Sequence, residues 1–141
     1  ELLELIETRE DVSERIAKIK ALQKTRLVRA GDYLIALSES NAFELYCASA
    51  LVDLGCDFAF VANPAHGRMS GVKNQATRIV NIAKVMEQAG RVLKGSGGGH
   101  ETVGGARGAR EKTGEALEEC LNEVIGQVRK ENPQAKIKNV V

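Results

Sequence analysis

Gly97, Gly98 and Gly99 run directly into His100, and this is where residue type and spacing in the chain first suggest chemistry. The surrounding segment GSGGGHETVGGARG, residues 95–108, contains half of the chain's 14 glycines and one of its two histidines. Adjacent glycines let a ligand approach main-chain N–H groups with no side chain in the way. Successive amides of that kind form a nest for an anion, and a helix turn starting near His100 would add its dipole. A phosphate is the fitting guest, with the imidazole of His100 donating to a phosphoryl oxygen. Charge points the same way. Residues 66–112 hold nine Lys or Arg against three acids, although the whole chain is only +1 and both flanking segments are net negative. A basic stretch that coincides with a glycine cluster implies an anionic partner.

Other chemistries are excluded by pattern. GSGGGHET lacks the Gly-Lys-Ser/Thr end of a P-loop, and histidine stands where GxGxxG needs its last glycine. There is no GxSxG, HExxH or CxxC. Cys47, Cys56 and Cys120 are odd in number and widely spaced, so disulfides are not expected, and Cys47 and Cys120 fit as small core residues. His66, in NPAHG, reads as a turn residue.

Those residues need a scaffold. A chain of 141 residues suits one domain with one core. It contains no apolar run near the roughly 20 residues of a membrane span, and a cytoplasmic location is expected. Val12, Ile16, Ile19 and Leu22 recur at helical spacing behind a Thr8–Asp11 capping box, which predicts a helix to about residue 28. DYLIALSES, after Gly31, reads as a strand. Phe43, Tyr46, Cys47, Ala50, Leu51 and Leu54 mark one face of a helix ended by Gly55. DFAFVAN and GRMSGV read as strands on either side of the NPAHG turn. Ala76, Ile79, Ile82, Ala83 and Met86 mark a further helix, closed by Gly90. Leu117, Cys120, Leu121, Val124 and Val128 define a last helix that must finish before Pro133, and AKIKNVV fits an edge strand. The alternation predicts an α/β (α+β) fold: a small mixed sheet of about four to five strands with helices packed on it, preceded by an amino-terminal helix.

The segment GSGGGHETVGGA resembles the GGGHxxAAG signature of the DHH-associated domain, the smaller carboxy-terminal domain of the DHH phosphoesterases. The resemblance spans residues 31–130. Gly97, Gly98, Gly99 and His100 match residue for residue and Gly105 matches the closing glycine, while Val103 and Gly104 replace alanines. Many relatives carry an Arg-Ser pair at the end of the strand before the third helix. Here RMSGVKN sets Val72 and Lys73 there, with Arg68 four residues earlier. The resemblance implies a substrate-binding domain at 30–141 behind an interdomain linker helix at 1–29. Phosphate would be held by Gly97, Gly98, Gly99, His100, Arg68, Ser70, Lys73, Asn74 and Arg107, with His100 also the catalytic candidate. It further implies a hydrolase of phosphoester bonds, such as a RecJ-like exonuclease or an oligoribonuclease, whose Mn2+ or Mg2+ ions sit on an Asp-His-His run in an amino-terminal domain. No such run occurs here, so this chain is expected to hold substrate and not to cut it, with no metal of its own.

The implied partners are short RNA or DNA or another nucleotide phosphodiester, and the amino-terminal DHH domain of the same polypeptide. No membrane partner is expected, and homodimerisation is left open. Three other readings share the motif or the fold: a transfer-RNA-binding domain like that of alanyl-tRNA synthetases, a nucleotide-binding regulatory module, and a dimerisation domain.

Overall fold

A computed structural model describes residues 11–141. Thr8 of the expected capping box lies outside them. Asp11 is the N-cap in its own right, its carboxylate accepting from the Ser13 N–H at 2.7 Å. It opens α1 (Val12–Gln23). The remaining order is β1 (Arg26–Ala30), β2 (Tyr33–Glu39), α2 (Glu44–Leu54), β3 (Phe58–Asn63), β4 (Arg68–Lys73), α3 (Ile82–Val92), β5 (Ser96–Gly99), β6 (Val103–Arg107), α4 (Thr113–Glu131) and β7 (Ile137–Asn139).

The fold is mixed α+β as the sequence implies, but the sheet has seven strands rather than four to five, in the order β5-β6-β4-β3-β2-β1-β7. Among these strands only β2 and β3 pair in parallel. A parallel neighbour requires a crossover, and α2 supplies it. The extra strands lie where the sequence reading had a helix and a loop. The first helix stops at Gln23, and Arg26–Ala30 joins the sheet between β2 and β7. Gly97 and its neighbours form β5, one arm of a hairpin with β6. No helix starts near His100.

Strand alternation sorts the core into two layers. Phe58, Phe60 and Ala62 of β3 face α3 and α4, while Ala59 and Val61 face α1 and α2. Cys47 and Cys56 are buried in the second layer and Cys120 in the first. Burial pushes the Cys120 thiol far above its usual range. All three are small core residues.

Helix α3 differs from its predicted span at both ends. Ala76 and Ile79 precede it, because Val80 adopts φ +70 and Asn81 is the N-cap. Gly90 lies inside the helix rather than at its end, and a side chain there would run into the backbone of Ser96 and Gly97. Past the end of α3, Lys94 sits at φ +57 with its side chain exposed, and the Gly95 N–H returns to the Gly90 carbonyl at 2.9 Å. Glycine adopts this left-handed geometry without the Cβ penalty. Lys94→Gly is therefore expected to raise stability by about 0.5–1 kcal/mol, read as an upward shift in Tm.

Candidate phosphate-binding cleft

The site is built by cross-strand register. On the α2 side of the sheet, Asn63 pairs with Arg68, Arg68 with Arg107 and Arg107 with Ser96. One step along, Val61 pairs with Ser70, Ser70 with Gly105 and Gly105 with Gly98. Helix α2 packs over Ala59, Val61 and Val72 and stops short of the β4–β6–β5 end. There the sheet surface stays open as a cleft of about 390 Å³, lined by Arg68, Ser70, Gly98, Gly105, Arg107 and Glu44 among others.

Two groups of glycines do different work. A Cβ on Gly97 would overlap the Met86 carbonyl, one on Gly104 would meet the Gly98 carbonyl and Met86, and one on Gly71 would meet Phe60 and Met86. These glycines face α3 and let the helix lie close against the sheet. A Cβ on Gly98 meets nothing within 4 Å, and one on Gly105 meets only the Met69 carbonyl at 3.1 Å. Those two form a bare floor to the cleft.

The amides are not a nest. The His100 N–H donates to the Val103 carbonyl at 2.7 Å. In an antiparallel ladder, bonded pairs recur every second residue, so the Gly98 N–H is directed at β6 as well. The amides of Gly97 and Gly99 lie along the outer edge of β5, in the plane of the sheet. The glycines thus contribute an absence of side chains, not a bowl of donors, and the donors for an anion are side chains at the rim.

The structure brings Arg68, Ser70, Gly97, Gly98 and Arg107 into one cleft. Gly99, at φ +143, and His100 stand at the adjoining hairpin turn, with the His100 ring exposed. Lys73 does not join them. Its ammonium is buried, donating to the Val80 carbonyl at 2.6 Å and lying 3.4 Å from the Ile79 carbonyl and the Glu101 carboxylate. Asn74 is also elsewhere, its side-chain oxygen accepting from the Ala76 N–H at 2.8 Å.

Glu44 is a member that the sequence reading missed. Its carboxylate, largely buried, lies 3.3 Å from Arg68 Nε and accepts from Asn63 Nδ2 at 2.9 Å. Asn63 is fully buried and also donates to the Asn41 carbonyl at 3.1 Å, which fixes the loop leading into α2. Arg68 is thereby oriented at the rim, while Arg107 has no acidic partner among the described residues. The sequence signal for Glu44 was faint: an acid in the first turn of a helix that follows a strand.

The DHHA1 domain matches residues 54–130, more than half of the chain, and the match takes in the cleft strands and the glycine hairpin. The chain belongs to the DHHA1 domain family. An uncharacterized protein of Methanocaldococcus jannaschii is 32% identical over 129 residues, covering 88% of this chain and 39% of the relative. The chain thus spans about two fifths of that relative's length. A solved DHH-domain structure, described as belonging to a family of ribosomal proteins, superposes with a TM-score of 0.59 at 12% identity, over 82% of this chain and 31% of the other. That likeness shows a shared fold. The C-Ala domain of Aquifex aeolicus alanyl-tRNA synthetase gives a TM-score of 0.49 at 24% identity, over 69% of this chain and 95% of that domain.

Among the described residues, no three His, Cys, Asp or Glu side chains lie where they could share a metal ion. The DHH resemblance puts the metal pair on an amino-terminal domain, and the described residues offer no cluster that would hold it. No described helix is long and apolar enough to cross a membrane.

Proposed function

We propose that this DHHA1 domain is the substrate-holding half of a DHH phosphoesterase and that its cleft grips a phosphoryl group of a nucleotide or short nucleic acid. The observation that carries the reading is the Gly98–Gly105 floor, free of side chains and bordered by Arg68, Arg107 and Ser70. A phosphoryl group settling on that floor meets guanidinium donors on one row and a hydroxyl on the next. Charge-assisted bonds of this kind are the strong ones. Glu44 holds Arg68 in place and limits net positive charge, so the cleft favours a ligand with its own hydrogen-bond donors near the phosphate. His100, at the hairpin turn, is assigned to the leaving-group side, where an imidazole can donate to an oxygen as charge develops on it.

On this reading hydrolysis belongs to a second lobe, which supplies manganese- or magnesium-activated water, and α1 together with the chain before it is the connection to that lobe. This domain contributes binding and orientation, which alone account for a large part of rate enhancement in a two-lobed site.

Calorimetric titration with adenosine 5′-monophosphate tests the reading. Arg107→Gln is expected to cut affinity by roughly ten- to a hundredfold, the worth of one charge-assisted bond. His100→Ala is expected to cut it less, and to abolish turnover in a polypeptide that also carries the DHH lobe. Thermal unfolding of both variants should match the parent. Undiminished affinity in Arg107→Gln, or manganese-dependent hydrolysis by these 141 residues alone, would refute this division of labour.

A further inference from the structure

Helix α1 turns its apolar side away from the domain. Ala17 and Ala21 join the core layer formed with Ala36 and α2, while Val12, Ile16 and Ile19, spaced four and three residues apart, lie on the opposite side and stand 57%, 47% and 57% exposed. A surface helix ordinarily carries polar residues there. Alternation of three and four is the spacing of a helix–helix seam. Beside the stripe, Ile19 and Leu22 continue into a hollow of about 330 Å³ that they share with Ala50, Leu51 and Leu54 of α2 and that Lys18 and Asp53 border. Leu22 and Leu54 are themselves exposed. An apolar surface of this extent marks a place where another macromolecule sits.

Charge selects the occupant. Residues 1–14 hold six acids and one base, whereas residues 15–24 hold four bases and no acid. Glu14 is engaged by Lys18 at 3.0 Å within the helix, but Lys20 and Lys24, at the basic end, have no acidic partner among the described residues. A helix that is acidic at one end and basic at the other complements a second copy of itself running antiparallel and repels one running parallel. A two-fold axis also uses the same patch twice, so no separate complementary surface is needed. A partner helix of a single sign would match only half of α1.

We propose that α1 is the seam of a homodimer, in which two copies pair antiparallel about a two-fold axis lying between Ile16 and Ile19. That register sets Ile16 of one copy against Ile19 of the other and Val12 against Gln23, and it brings Asp11 towards Lys24 of the other copy. Leu22 and Leu54 are covered at the margin. Helix α1 packs on α2 and β2, while the cleft lies at the β5–β6–β4 end of the sheet, so both clefts stay open in the dimer. The inference is independent of the phosphate reading.

Sedimentation velocity of the chain over a series from about 1 µM to about 0.5 mM, the range suited to a short seam, tests it. A reversible shift from monomer to dimer is expected. Ile16→Glu, which sets a charge at the centre of the seam, should weaken the dimer at least about thirtyfold and leave the Tm of the dilute monomer unchanged. Orientation is read separately by cross-linking. The three native cysteines are buried, so Val12→Cys and Gln23→Cys report the seam: a mixture of the two variants should form a disulfide-linked pair, and neither should link to itself. A monomer at every concentration overturns the proposal, as does a dimer that Ile16→Glu leaves intact. Linking of either variant to itself overturns the antiparallel pairing and the charge argument with it.

Discussion

Gly98→Val is expected to fold with stability within about 0.5 kcal/mol of the parent, as ordinary surface changes do, yet to lose nucleotide binding by at least roughly tenfold. Gly97→Ala, the smaller change one residue earlier, is expected to cost about 3 kcal/mol, the upper end for overpacking, and to lower Tm by roughly 10 °C for a chain of this size. The two residues are adjacent in β5 and differ only in the face they present. The valine Cβ of the first variant would stand in the open cleft, in a strand that favours β-branched residues. The alanine Cβ of the second would press on the Met86 carbonyl, and α3 would have to lift from the sheet. Thermal unfolding and calorimetric titration of the pair check both halves. A Gly98→Val variant that binds nucleotide like the parent would show that the floor is not where ligand rests.

Lys73→Met is expected to cost about 2–3 kcal/mol, mainly because the buried Val80 carbonyl and the part-buried Ile79 carbonyl lose their donor. Methionine preserves the length and apolar body of the side chain, so the loss reports the ammonium. Val80 is β-branched and held in left-handed geometry, a conformation that persists only where its surroundings enforce it. The same ammonium lies beside Glu101, the Lys73 N–H donates to the Thr102 carbonyl at 2.9 Å, and the Ile82 N–H donates to the Glu101 carbonyl at 2.9 Å. The hairpin turn carrying His100 is thus tied to β4 and to the start of α3. Hydrogen exchange of the His100 amide should quicken in Lys73→Met together with the drop in Tm. Unchanged stability and exchange would mean that the buried ammonium holds nothing.

Much of this arrangement was legible in the sequence, and the failures have physical causes. β2, α2, β3, β4 and α4 were readable because one periodicity dominates each and turn residues bound them. The position of β7 at the sheet edge followed from a short segment beyond Pro133. β1 was hidden because RLVRA continues a helical pattern without a break. The available signal was Gly31–Asp32, a two-residue link between strands, with Gly31 at φ +60. β5 was hidden because glycine has no strand propensity of its own. Its pairing is imposed by β6, and its glycines answer to a helix close in space. Gly97 and Gly98 of the GGGH run do line the cleft, but the reading of its amides as an anion nest failed because ladder partners cannot be counted from one strand. Lys73 looked like a free cation because sequence does not reveal burial, and Asn63, the residue that orients Glu44 and His66, carries no local mark of its role.

The measurement that bears most directly on the central claim is amide chemical-shift mapping of the labelled chain during titration with adenosine 5′-monophosphate. The account predicts that the largest shifts fall on Ser70, Gly98, Gly105 and Arg107, with smaller ones at the His100 turn. Shifts confined to the apolar hollow between α1 and α2, lined by Ile19, Leu22, Leu51 and Leu54, or absent at saturating nucleotide, would contradict it.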